Sequence, residues 1–84
     1  MLFKPELVEE INILIQYNLN TSQEGIKVHS EADPSLVAAT IRLFEKGFIT
    51  RSDGGYLTSL GREAAEHAQS LYEVLTNPVE ITSG

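Results

Sequence analysis

The chain has 84 residues, no cysteine and a net charge of −6, which allows one compact domain and excludes both a disulfide framework and a thiolate metal site. The acidic excess argues against a protein that coats DNA by bulk electrostatics, because such binding depends on Lys and Arg. The sequence has neither a signal-peptide layout nor an apolar run of membrane length, and we therefore expect a cytoplasmic protein without membrane contact.

The charges are distributed unevenly along the chain. Residues 1–26 and 63–84 together carry a net charge of −7, whereas residues 27–62 carry a net charge of +1. The middle of the chain therefore differs electrically from both ends, and any contact with an anionic partner is expected there.

A first helix is predicted over roughly residues 5–18. Pro5 suits the first turn of a helix, and Glu6, Glu9 and Glu10 lie near the positive end of its dipole. The apolar residues of this segment recur at helical spacing, and Ile13 and Tyr17 widen the apolar stripe. That width predicts that the helix is buried on two sides.

The next segment allows two interpretations. Thr21-Ser22-Gln23-Glu24 matches a capping box and predicts a short second helix over about residues 21–30. Gly25 and the alternation of Ile26 and Val28 favour a short strand instead. Of the two, the helix is preferred.

The most distinct helix is predicted over residues 33–47, with Asp33 as N-cap, Pro34 in the first turn and Gly47 at the end. Its inward face is predicted to comprise Leu36, Val37, Thr40, Ile41, Leu43 and Phe44, and its outward face Ser35, Ala38, Arg42, Glu45 and Lys46. Two short antiparallel strands, over 48–51 and 56–57, are expected to flank a turn at residues 52–55.

Thr58 or Ser59 is expected to cap a last helix that runs to about Thr76 and presents Leu60, Ala64, Ala68, Leu71 and Leu75 on one face. Asn77-Pro78 should end it. Residues 1–77 therefore form one predicted domain, and residues 78–84 a disordered tail.

This order of elements is typical of a winged helix-turn-helix domain, mainly α with a small two-stranded hairpin as the wing. Between residues 33 and 65 the chain resembles bacterial regulators of the MarR and PadR kind. The resemblance rests on residues 43–49, on Asp53-Gly54-Gly55-Tyr56-Leu57-Thr58 and on Gly61-Arg62-Glu63-Ala64. It implies a recognition helix that leads into a wing.

Over its full length the chain is also similar to a family of short, uncharacterised gammaproteobacterial proteins that are often labelled hypothetical DNA-binding proteins. The segments that carry this similarity are residues 21–29 and 54–58. The resemblance implies a transcription-associated protein that binds double-stranded DNA.

Candidate DNA contacts come from the predicted recognition helix and its surroundings. Arg42 and Lys46 lie four residues apart, while Lys27 precedes the helix and Arg51 lies on the wing. Such residues contact phosphates without reading sequence. The early outward positions are Ser35 and Ala38, which cannot make bidentate base contacts, so weak or non-specific binding is expected. The predicted nucleic-acid-binding residues are Lys27, Ser35, Arg42, Lys46 and Arg51.

The alternative is a winged-helix module for protein interaction or dimerisation that does not bind DNA and presents Ser35, Ala38 and Ala39 to a partner protein. The DNA-binding hypothesis predicts a homodimer formed through the first helix and the last helix.

Catalysis is not expected. His29 and His67 lie far apart, and no serine stands in a nucleophile motif. The sequence predicts no enzyme, no metal, no cofactor and no small-molecule ligand.

Overall fold

The computed structural model describes residues 2–77, so the predicted tail 78–84 lies outside the described residues. Three helices and three strands occur in the order α1 (Pro5–Ile15), β1 (Ile26–Lys27), α2 (Pro34–Glu45), β2 (Ile49–Arg51), β3 (Gly54–Leu57) and α3 (Ser59–Thr76). The three helices were predicted with nearly these bounds.

The caps of α2 and α3 explain why the sequence located these helices well. The side chain of Asp33 accepts a hydrogen bond from the backbone N–H of Ser35, and Thr58 accepts one from the N–H of Gly61. Each bond satisfies a donor that the first turn of a helix leaves unpaired. The Thr58 hydroxyl also donates to the carbonyl of Gly47 at 2.6 Å, which joins the end of α2 to the start of α3.

α1 ends at Ile15, three residues earlier than predicted. The side-chain amide of Gln69 on α3 donates to the carbonyls of Leu14, Ile15 and Tyr17, most closely to Tyr17 at 2.7 Å. These contacts satisfy carbonyls that the end of a helix leaves free. α3 therefore holds the point where the chain leaves α1.

The predicted helix over 21–30 is wrong, because this segment forms a polar turn followed by strand β1. Thr21 accepts a hydrogen bond from the N–H of Gln23 within a local turn and does not begin a helix. The side chain of Ile26 packs against the core while Lys27 is exposed, which is the two-residue alternation of a strand. Residues 16–33 therefore lack the helix that would pair with α2 as a helix-turn-helix unit.

The strands form a three-stranded antiparallel sheet with the order β1-β3-β2, where two strands were predicted. Ile26 pairs with Gly55 and Lys27 with Gly54, while Ile49 pairs with Leu57 across the hairpin. The turn is confined to Ser52 and Asp53, so Gly54 and Gly55 belong to β3, where both keep a positive φ.

The core lies where α1 packs against both α2 and α3, as the width of its apolar stripe predicted. It comprises Ile13, Leu14, Tyr17, Ala39, Leu43, Ile49 and Ala65. Within residues 2–77, no helix combines the length and the apolar character that a membrane crossing requires. The layout is mainly helical, with a small sheet, and is compatible with that of a winged helix.

Candidate interaction surfaces

Arg42 and Lys46 were expected to face outward from α2, but both are bound to a carboxylate on α1. Arg42 Nε donates to Glu10 Oε2 at 2.6 Å, and Lys46 Nζ donates to Glu10 Oε1 at 2.5 Å. A guanidinium nitrogen of Arg42 also donates to the carbonyl oxygen of Glu6 at 3.0 Å. The predicted outward orientation therefore holds only in part: the side chains of Arg42 and Lys46 are 30% and 45% exposed, but the charged group of each is bound to Glu10.

The geometry follows from the positions of the helices. Residues 42 and 46 are one helical turn apart and lie on the flank of α2 that faces α1. Glu10 is only 4% exposed, so its carboxylate would be costly to bury without partners. The two cations supply those partners, and each carboxylate oxygen receives one of them.

Burial raises the pKa of Glu10, but the hydrogen bonds and positive charges of Arg42 and Lys46 outweigh it and leave the pKa below its usual value. The hydrogen bond to Glu10 raises the pKa of Arg42 in turn. The carboxylate is therefore ionised at neutral pH, and its charge reduces the attraction of Arg42 and Lys46 for phosphate.

Glu10 was not identified as a site residue from the sequence, where it was interpreted only as an acid near a helix N-terminus. A signal for its burial is present in its spacing. Ile13, Leu14 and Tyr17 follow it at three, four and seven residues, and all three are in the core. Glu10 therefore lies on the buried face of α1.

The remaining predicted cations lie on the sheet. Lys27 and Arg51, together with Tyr56, line one shallow depression on its surface. Lys27 Nζ is 3.9 Å from a carboxylate oxygen of Asp53, and both side chains are well exposed. An exposed pair of this kind is weak. Lys27 and Arg51 therefore stay exposed without a strong partner, while Arg42 and Lys46, which are partly exposed, are paired with Glu10.

Ser35 forms hydrogen bonds with the N-cap residue of α2. Its hydroxyl donates to Asp33 Oδ1 at 2.9 Å, and the backbone N–H of Ser35 donates to the same oxygen. These two bonds lower the pKa of Asp33. The structure therefore does not bring the five predicted site residues together on one surface.

The exposed face of α2 is more apolar than expected. Ile41 is 39% exposed and Phe44 is 42% exposed, although both were predicted to face inward. Ala39, which was predicted to face a partner, is fully buried. The physical reason is a rotation of the helix: because Arg42 and Lys46 lie against α1, Ala39, Thr40 and Leu43 become the buried positions.

A second apolar surface lies on α3. Leu60, Leu71, Val74 and Leu75 are between 50% and 71% exposed. Leu60, Leu71 and Leu75 belong to the apolar face predicted from the sequence, whereas Val74 does not, and within α3 only Gly61 and Ala65 are buried. Because the core ends near Ala68, the second half of α3 has little of the domain to pack against.

The side chains of residues 2–77 do not form a group of three His, Asp or Glu residues that could hold a metal ion. The exposed surfaces are thus apolar faces on two helices and a small depression on the sheet, whose charged lining residues are Lys27, Arg51 and Asp53. Together with the core they define a small domain of three helices and one three-stranded antiparallel sheet.

The chain belongs to a family of unknown function, DUF5669, which matches residues 1–76. The match covers nearly all of the chain and includes every helix and strand described above. Neither the curated proteins nor the solved structures gave a match.

Proposed function

We propose that this domain is a protein-interaction module of the winged-helix type that forms a homodimer through α3. The observation that carries the proposal is the exposure of the large apolar side chains Leu60, Leu71, Val74 and Leu75 on that helix, three of which lie together near its C-terminal end. Exposed apolar surface grouped in this way is typical of an interface.

The spacing of the stripe suits a second helix of the same kind. Leu60, Ala64, His67, Leu71 and Val74 follow one another at alternating intervals of four and three residues, the spacing that a helix pair requires. Helical geometry places Glu66 and Glu73 well away from this stripe, whereas Glu63 flanks it. Two acidic chains can therefore associate along the stripe, because most of the carboxylates of α3 lie away from the interface.

The first helix, α1, was also predicted to lie in the dimer interface, but it exposes less apolar surface than α3. Its apolar residues Ile13 and Leu14 are buried by packing within the domain. Val8, which is 41% exposed, is an apolar α1 side chain that remains open to a partner. The proposal therefore assigns the interface mainly to α3.

The experiment is sedimentation equilibrium of the full chain over a range of concentrations. We expect a concentration-dependent dimer. The double variant Leu71→Gln, Val74→Gln should be monomeric, whereas its matched control, Glu66→Gln, Glu73→Gln, should dimerise as well as the wild type. A wild-type monomer at every concentration, or equal dimerisation of both double variants, contradicts the proposal.

DNA binding is a second candidate, favoured by the grouping of Lys27, Arg51 and Tyr56 around one depression on the sheet. Cations beside an aromatic ring suit contact with phosphates and bases. If the domain binds DNA in this way, the sheet contacts the nucleic acid, whereas Arg42 and Lys46 stabilise the fold.

Fluorescence anisotropy with a labelled duplex at low and high salt tests this candidate. Salt-dependent binding that is lost in Lys27→Ala, Arg51→Ala supports it, provided that the control variant Lys4→Ala binds as the wild type does. Absence of binding at low salt excludes it.

A further inference from the structure

A groove lies between the exposed face of α2 and the edge of the sheet. It encloses about 390 Å³, and its walls include Val28 and His29 after β1, Val37 and Ile41 of α2, and Asp53 of the hairpin turn. A volume of this size falls at the lower end of the range for ligand sites and accommodates one or two large side chains.

The apolar part of the groove continues along α2. Val37, Ile41 and Phe44 follow each other at intervals of four and three residues, so they form one stripe on the helix. Ile41 lies at the centre of this stripe and in the wall of the groove. Because the nearest core residues are already packed among themselves, Ile41 and Phe44 have apolar surface left for a partner.

The charge around the groove is acidic. Asp53 lies in its wall and Glu31 follows the wall residue Ser30, while Asp33 and Glu45 lie one helical turn before Val37 and one turn after Ile41 on α2. Lys27 also lines the groove and forms a weak, exposed pair with Asp53 at 3.9 Å, so these two charges offset each other and Glu31, Asp33 and Glu45 make the surroundings acidic. The cations nearest to this face on α2 are Arg42 and Lys46, and both are held by Glu10.

We infer that this groove binds a protein segment in which large aliphatic side chains are flanked by Lys or Arg. The aliphatic side chain fills the space beside Ile41 and Val37, and the flanking cations face the carboxylates at the rim. Phosphate is disfavoured here, because the same carboxylates repel it. The inference goes beyond the proposed dimer, because the groove is lined by residues of β1, α2 and the hairpin turn and not by α3.

The test uses the full chain and a synthetic probe peptide, in which two Leu residues are flanked on both sides by Lys residues. Binding is followed by fluorescence anisotropy and by the amide chemical shifts of the labelled protein. We expect saturable binding with the shifts concentrated at Val28, His29, Val37 and Ile41. Replacing the Lys residues of the peptide by Glu, or its Leu residues by Ser, should abolish binding.

Two matched variants locate the contact. Ile41→Ser should weaken binding of the peptide at least tenfold, since it removes an apolar contact from the wall. Leu2→Ser makes a comparable change at a side chain that is 93% exposed and lies outside the groove, and it should leave peptide binding unchanged. Equal weakening by both variants, shifts concentrated on α3, or no binding of the wild type overturns the inference. If Ile41→Ser fails to fold, the amide chemical shifts of the wild-type protein still show whether the peptide binds in the groove.

Dilution of the labelled chain without peptide tests whether a second copy occupies the groove. Shifts at Val37 and Ile41 on dilution would assign the groove to self-association and overturn the inference. A dimer that does not bind the peptide would leave the proposed function standing while this inference fails. A monomer that binds the peptide at the groove would support the inference and contradict the dimer.

Discussion

Arg42 on α2 donates a hydrogen bond through Nε to Oε2 of Glu10 on α1, across 2.6 Å and 32 residues of sequence. Lys46 holds the other oxygen of the same carboxylate. The cations that a sequence analysis assigns to DNA therefore connect two helices of the domain. Their first effect is on stability, and it can be measured without any partner.

Glu10→Gln should lower the free energy of unfolding by about 1.5 to 3 kcal/mol, because it removes a charged acceptor that serves two cations. Urea denaturation followed by circular dichroism measures the change. Glu9→Gln is the matched control: Glu9 is 3.7 Å from Arg42 and partly exposed, so its loss should change stability by less than about 0.5 kcal/mol. Equal effects of the two variants would contradict the role given to Glu10.

The same carboxylate should make stability depend on pH in the acid range. Arg42 and Lys46 hold the pKa of folded Glu10 below its usual 4.5. Its contribution is therefore fully present above the unfolded pKa and is lost as the pH falls through the folded pKa. We expect the stability difference between wild type and Glu10→Gln to be constant near neutral pH and to shrink below about pH 4. A difference that grows on acidification would have the wrong sign.

The parts of the fold that sequence located well are those fixed by local chemistry. Asp33 and Thr58 cap their helices through neighbours in the sequence, and Pro5 marks the start of α1. The parts that it missed depend on distant partners. β1 forms because Ile26 pairs with Gly55 on another strand; the alternation of Ile26 and Val28 indicated a strand as the alternative, but it could not show the distant partner that decides between strand and helix.

The candidate sites also combine features that local spacing predicts with features that depend on distant residues. The spacing of Arg42 and Lys46 correctly placed them on one flank of α2, but it could not reveal that Glu10 lies opposite that flank. Because the flank faces α1, the helix is rotated relative to the prediction, which exposes Ile41 and Phe44 and buries Ala39. A period of 3.6 residues fixes which side chains share a face and leaves open which face is buried.

Leu43→Ala should destabilise the domain by about 2 to 5 kcal/mol, because Leu43 is fully buried and its loss leaves a cavity in a small core. Ile41→Ala, two residues away on the exposed face, should cost less than about 1.5 kcal/mol. Chemical denaturation of both variants provides the comparison. Similar losses would show that the rotation of α2 described here is incorrect.

Gly61→Ala should destabilise the domain although it replaces glycine within a helix. A Cβ atom at this position would overlap the carbonyl group of Phe48, and relieving such an overlap costs about 1 to 3 kcal/mol. Ser70→Ala, at an exposed position of the same helix, should instead leave stability unchanged or raise it by a few tenths of a kcal/mol. Thermal unfolding separates the two; a stabilised Gly61→Ala would mean that α3 does not pack against Phe48.

Tyr17→Phe tests the contact between α1 and the sheet. The Tyr17 hydroxyl donates to the carbonyl oxygen of Gly55 at 3.1 Å, and its loss should cost about 1 kcal/mol at neutral pH. Burial raises the pKa of Tyr17 from 10.0 to about 12.

Because the pKa of Tyr17 in the folded protein lies above its pKa in the unfolded chain, the contribution of Tyr17 to stability is complete below about pH 10 and is lost as the pH rises towards 12. The stability of the wild type should therefore fall more steeply than that of Tyr17→Phe in this alkaline range. Tyr56 and Tyr72 are present in both proteins, so the difference between their urea denaturation curves reports on Tyr17. Parallel pH profiles would show that its hydroxyl is not buried against Gly55.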